Sequence, residues 1–169
     1  LVEYTLTVPS TVDSITINAT RDEDRASMTG DGTKQLSVGE QTFPIVVTAE
    51  NGTTKKTYNV KVTKLSGDAT LKSLTLSDVT FTPTFSSDVT SYTATVPYTT
   101  ASTTVNGVKN DANATVSGNT TKQLSVGANT IKVTVTAQDT NVTKEYTVVV
   151  TREAASTDAK AATLTVDGV

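Results

Sequence analysis

The chain of 169 residues carries 14 Lys and Arg against 17 Asp and Glu, with no Cys and no His. A net charge of −3 supplies no basic stripe of the kind a nucleic-acid partner requires. The missing Cys and His remove the commonest metal ligands, every disulfide, and the nucleophile–base pairs built on them, so the expectation is no enzyme and no cofactor.

Thr, Val and Ser dominate, and β-branched side chains suit a pleated, half-buried surface. No window places apolar residues at i, i+3, i+4 and i+7, which speaks against helices, and no run approaches the ~18 apolar residues of a membrane span, so membrane insertion is not expected. The amino end, Leu1-Val2-Glu3-Tyr4, has neither a charged leader region nor a cleavage site. Tyr4-Thr5 and Thr7-Val8-Pro9 follow, then the charge cluster Arg21-Asp22-Glu23-Asp24-Arg25 and the block Thr33 to Gly39. Pro44 cannot donate to a ladder and is expected at an edge or beside a bulge. Glu50-Asn51-Gly52-Thr53 supplies the positive φ values of a tight hairpin. After a short linker, Leu65 to Ala69, period-2 alternation places strands on Leu74 and Leu76, on Tyr92, Ala94 and Val96, and on Leu124 and Val126. Further strands follow on Ile131, Val133, Val135 and Ala137, and on Tyr146, Val148 and Val150, with the hairpin Gln138 to Val142 between them. Glu153 to Lys160 reads as linker.

A shift of 88 residues aligns Tyr4 through Lys64 with Tyr92 through Arg152 without a gap, and about 27 of the 61 pairs are identical. Thr33-Lys34-Gln35-Leu36-Ser37-Val38-Gly39 recurs letter for letter as Thr121 to Gly127. A third copy opens at the carboxyl end, where Thr163-Leu164-Thr165-Val166-Asp167 echoes Ser73-Leu74-Thr75-Leu76-Ser77-Asp78 at a shift of about 90. Residues 1–64 are thus expected to be an incomplete first repeat lacking its opening strand, 65–155 a complete second repeat, and 156–169 the linker and opening strand of a third. About seven short strands per copy with one apolar face describe tandem immunoglobulin-like antiparallel β-sandwiches in an all-β chain. Short linkers favour a semi-rigid rod.

With the strands placed, the second copy resembles the cadherin-like β-sandwich domain of bacterial surface and secreted multidomain proteins. The residues that carry the resemblance are Leu71, Leu74 and Leu76, then Phe81-Thr82-Pro83-Thr84-Phe85 leading to Tyr92 and Val96-Pro97. Val126-Gly127, Asn129-Thr130-Ile131, Val135-Thr136-Ala137, Tyr146 and Val150-Thr151-Arg152 extend it. The first copy lacks the leucine strand and the Phe-x-Pro-x-Phe segment. The resemblance implies a spacer, stalk or adhesion unit that is extracellular, secreted or cell-wall attached, with adjacent domains of the same polypeptide as partners. It imports no calcium. A carbohydrate-binding accessory module of a secreted glycoside hydrolase is the alternative, with a polysaccharide or a host or cell-wall component as ligand.

Individual constellations add little chemistry. Asp22, Glu23 and Asp24 bring three hard oxygen donors together, but flanking arginines and the less acidic counterpart Lys109-Asn110-Asp111-Ala112-Asn113 point to a solvated loop. Asp68, Asp78 and Asp88 are the donors available for a cation at the copy junction, without the spaced acidic motifs that would specify one. Tyr4 and Tyr92 fall on the inward face of their strands and are expected in the core, which leaves Tyr98 as the candidate ligand-binding aromatic. Thr163, Leu164, Thr165 and Val166 are expected to add as a strand to the first copy of a neighbouring chain, because an open sheet edge over an uncovered apolar face invites strand addition.

Overall fold

A computed structural model describes residues 2–166. The chain is all β, with strands β1 (Val2–Val8), β2 (Ser14–Ile17), β3 (Ser27–Thr29), β4 (Gly32–Gln35), β5 (Gly39–Thr48) and β6 (Lys55–Lys64) in the first copy. The second copy contributes β7 (Leu71–Leu76), β8 (Ser91–Val96), β9 (Ser102–Lys109), β10 (Thr115–Ser117), β11 (Thr121–Gln123), β12 (Gly127–Thr136) and β13 (Thr143–Arg152). The second copy closes as a four-stranded sheet, β10-β12-β13-β8, facing the three-stranded sheet β11-β9-β7. In the first copy the four-stranded sheet β1-β6-β5-β3 recurs, but the facing layer is only β2-β4.

Within this largely antiparallel architecture each copy holds one parallel pair, β1 with β6 and β8 with β13. The reason is connectivity. After β7 the chain crosses through Phe81 to Phe85 into the opposite layer, so β8 enters at an edge beside the last strand and runs in its direction. Alternation along β12 and β13 buries Ile131, Val133 and Val135 against Tyr146, Val148 and Val150, as the period of two requires. Leu71, Leu74 and Leu76 close the core from the other layer. Phe81 meets Tyr92 edge-on at 4.9 Å, and Phe85 lies 6.1 Å from Tyr92 and 6.2 Å from Tyr146.

Three expectations need correction, and one strand went unanticipated. Tyr4 shares its repeat position with Tyr92, yet it is 57% exposed where Tyr92 is 1% exposed. Among the described residues, nothing in the first copy replaces β7 and the two phenylalanines that cover Tyr92. Leu124 is buried, but β11 ends at Gln123 and Val126 is exposed. There the Asn129 carboxamide accepts the Ser125 N–H and turns the chain before alternation can continue. Strand β9 was not foreseen, because Gly107 and the short Thr103 interrupt its apolar pattern; both lie on the buried face. Pro44 sits in β5, an interior strand by sheet order, opposite Asn59. Pairing with β3 stops at Thr29 and Val46, so the prolyl nitrogen faces no third ladder.

Close approach accounts for one repeated glycine. Gly30 and Gly118 hold φ of 99° and 100°, and a Cβ at either would collide with the carbonyl oxygen of Pro44 or Lys132 in the adjoining strand.

Candidate functional site: an open groove and the junction between the copies

The unequal layers leave a groove of about 430 Å³ in the first copy. Tyr4, Ile17, Met28, Ile45, Tyr58 and Val60 form its apolar wall, and the irregular run Asn18 to Asp22 forms its rim. These side chains are the repeat counterparts of residues that pack against Leu71, Leu74 and Leu76 in the second copy. The buried apolar residues of the first copy are few: Val8, Leu36 and Val62 form one small cluster, and Ala26 and Ile45 lie outside it.

The rim is irregular for a definable reason. In the second copy β11 pairs only with Ser102 to Thr104, whereas Asn106 to Lys109 find their ladder on β7. The counterparts of Asn106 to Lys109 are Asn18 to Arg21, which lie outside any strand. Tyr146 also contributes: its hydroxyl accepts the Leu71 N–H at 3.1 Å and donates to the Ser87 carbonyl at 2.7 Å, tying β7 to the opposite layer. Tyr58 holds the same register position in the groove wall.

A second feature joins the two copies. Asp139, at the tip of the β12–β13 hairpin, is 2% exposed. Its Oδ2 accepts both the N–H and the hydroxyl of Ser10, at 2.8 and 2.7 Å, across the boundary. Its Oδ1 accepts the Asn141 N–H at 3.2 Å, and its own N–H donates to the Ser66 carbonyl at 2.9 Å. The Ser66 N–H donates to Gln138 Oε1 at 2.9 Å. Donation from Ser10 stabilises the ionised carboxylate and holds the Asp139 pKa down at about 2. Gly67 fits against Ser10, where a Cβ would lie 2.9 Å from the hydroxyl. These partners were not foreseen in the sequence. The available signal was that Ser10 and Asp139 depart from their repeat counterparts, Tyr98 and Asn51.

The remaining candidates take ordinary places. Tyr98 is 46% exposed, with the Arg152 guanidinium 4.6 Å from its ring centroid and Nε of Arg152 donating to its carbonyl at 2.8 Å. In the charge cluster Arg21 donates to the Ala26 carbonyl and Arg25 reaches Glu50 at 3.5 Å on the surface. Asp68 accepts from Thr70 and Asn110, and the Thr70 hydroxyl in particular lowers its pKa. Asp13 is lowered by the Lys64 ammonium at 2.7 Å. Asp78 turns the chain at φ 58°, and the Asp88 N–H donates to the Ser86 hydroxyl at 3.4 Å. No group of three or more Asp, Glu, His or Cys side chains comes together among the described residues. No helix among them is long and apolar enough to cross a membrane. Leu164 and Val166 are 85% and 88% exposed, in a segment with no strand partner on its own chain; Asp167 to Val169 lie outside the described residues.

Comparison with known proteins agrees with this architecture. The family model described as "Cadherin-like beta sandwich domain" matches residues 2–65 and 71–153. No curated protein matches the chain. Among solved structures, protocadherin gamma B2 extracellular cadherin domains 3-6 is 8% identical with a TM-score of 0.44, over 90% of this chain and 46% of that one. Drosophila N-cadherin EC1-4 is 9% identical with a TM-score of 0.37, over 88% of this chain and 48% of that one. The fibronectin(III)-like modules of Clostridium thermocellum CbhA are 13% identical with a TM-score of 0.26, over 90% of both chains. The chain spans about half the length of the first of these structures. With the family model matched over most of its length in two successive segments, the chain belongs to the cadherin-like β-sandwich family, whose domains are adhesion or structural modules.

Proposed function

We propose that the chain is a non-catalytic spacer or adhesion unit of a bacterial cell-surface or secreted multidomain protein, working outside the cell or attached to the cell wall. Its principal partners on this reading are the adjacent domains of the same polypeptide. The modular division is 1–64 for an incomplete first sandwich, 65–155 for a complete second one, and 156–169 for a linker and a further opening strand. The separate core clusters and the independent sheets of the two copies support that division.

The observation that carries the reading is the grip of the Asp139 hairpin on Ser10 and Ser66. A spacer must fix the separation of what it joins, and a short linker bound on both sides loses the hinge freedom of a flexible tether. Small-angle scattering tests this directly. The native chain should fit one fixed arrangement of its two copies, while Ser10→Ala combined with Asp139→Ala should require an ensemble. A native profile that itself requires an ensemble of freely jointed copies would remove the reading.

The carbohydrate-binding alternative rests on Tyr98, the exposed aromatic outside the strand alternation. Arg152 occupies stacking space over its ring, which weighs against it. Glycan-array binding that disappears in Tyr98→Ala would reverse the preference between the two readings.

A further inference from the structure

We infer that Asn51 is a site of covalent self-modification, where the Gly52 backbone nitrogen attacks the Asn51 carboxamide and converts it to a carboxylate, while the identical dipeptide Asn106-Gly107 is held inert by its place in the fold. The inference goes beyond the spacer reading and does not depend on it.

These are the two Asn-Gly pairs of the chain, and the chemistry open to both is the same. The glycine N–H loses its proton and the nitrogen bonds to Cγ of the asparagine; the Cγ–Nδ2 bond then breaks and Nδ2 leaves as ammonia. Water opens the resulting cyclic imide at either carbonyl, giving aspartate or its β-linked isomer, isoaspartate. A glycine nitrogen suits this attack because no Cβ stands beside it.

At Asn51 the fold supplies what the reaction needs. Asn51 and Gly52 lie in the connection between β5 and β6, outside both strands, and both are exposed. Oδ1 of Asn51 accepts the N–H groups of Thr53 and Thr54 at 3.1 and 2.9 Å. This Asx turn folds the side chain over the peptide that follows and brings Cγ towards the attacking nitrogen. The same two donors sit where negative charge develops on Oδ1 as the nitrogen adds, so they act as an oxyanion hole. Nδ2 lies 2.9 Å from the Thr54 hydroxyl, which turns its proton to Nδ2 as ammonia departs. Ring closure releases one backbone bond, from the Gly52 N–H to the Ala49 carbonyl at 2.9 Å, and Gly52 has open space on its face.

At Asn106 each of these conditions is reversed. Asn106 and Gly107 pair with Thr75 and Leu74 inside β9. Closing the ring needs a ψ at the asparagine far from the extended value, which that ladder forbids. The Gly107 N–H donates to Asn119 Oδ1 at 2.7 Å, and side-chain atoms of Val133 and Leu71 lie 3.0 and 3.2 Å from where a Cβ would stand.

The internal repeat explains why the product is tolerated. Asn51 aligns with Asp139 and Thr53 with Asn141. Oδ1 of Asp139 accepts the Asn141 N–H at 3.2 Å, the counterpart of the bond that Asn51 takes from Thr53. An aspartate at 51 therefore fits the same turn and gives the first hairpin the ionised tip that the second already carries.

Peptide mapping of the native chain after incubation in mildly alkaline buffer, with isoaspartate counted by enzymatic methylation, tests the inference. In the folded chain Asn51 should convert at least about tenfold faster than Asn106, and in urea the two rates should agree within about twofold, because only the fold distinguishes them. Thr54→Val, at an exposed position outside the core, should slow conversion of Asn51 about threefold. Equal rates at the two sites in the folded chain, an Asn51 that stays intact when folded yet converts in urea, or a Thr54→Val chain that converts at the native rate would each overturn the inference, and none would touch the spacer reading.

Discussion

Ser10 delivers two hydrogen bonds, from its N–H and its hydroxyl, to one carboxylate oxygen of Asp139, although 129 positions separate them in the chain. The hydroxyl can be deleted while the N–H remains. Ser10→Ala should therefore weaken the coupling between the copies without unfolding either one. In calorimetry the native chain should show the two copies' transitions overlapping, with the first copy's midpoint falling a few degrees in the variant, since about 1 kcal/mol shifts a domain of this size by roughly 4–8 °C. The second copy's midpoint should stay in place.

The same contact should respond to acid. Asp139 titrates at about 2 in the folded chain against 3.8 for an unperturbed side chain. A folded pKa below the unfolded one gives stabilisation that is complete above about 4 and is lost as the pH falls towards 2. Scattering profiles should thus hold constant from neutral pH to about 4 and broaden below it. Asp13 and Asp68 are lowered as well, so acid also affects each copy internally. Asp139→Asn removes only the junction's share and should leave a profile without that step.

Identical residues at equivalent repeat positions should have unequal worth. Tyr92 is buried under Phe81 and Phe85, and its hydroxyl donates towards the carbonyls of Ser86 and Val89. Tyr92→Ala should cost about 3–5 kcal/mol. Tyr4→Ala, at a site 57% exposed, should stay within about 0.5 kcal/mol in dilute protein. Denaturant midpoints of the two variants check this.

Gly118 combines a φ of 100° with the Lys132 carbonyl against its face, whereas Gly127, at φ 96°, faces open space. Gly127→Ala should cost about 1 kcal/mol from backbone strain alone. Gly118→Ala must also move a strand and should cost about 2 kcal/mol more, measured as the shift in denaturant midpoint.

Much of the second copy is legible in the sequence because its strands alternate cleanly. Ile131 to Ala137 and Tyr146 to Val150 announce their buried face through period two, and the Leu74–Leu76 strand does the same. β9 stayed hidden because Thr103 and Gly107 occupy buried positions without being apolar. The Ser10–Asp139 contact went unread for a different reason: Asp139 belongs locally to its own hairpin turn, and only the packing of the hairpin tip against the linker brings it to Ser10.

Alternation and the gapless internal repeat by themselves determine that this chain is all β and is built of successive similar copies, because the period of the apolar pattern is a property of neighbouring residues along one strand. Tertiary structure alone decided that Tyr4 lies in an open groove while Tyr92 lies in a core. Burial depends on what the opposite layer supplies, and the layer facing Tyr4 is one strand narrower.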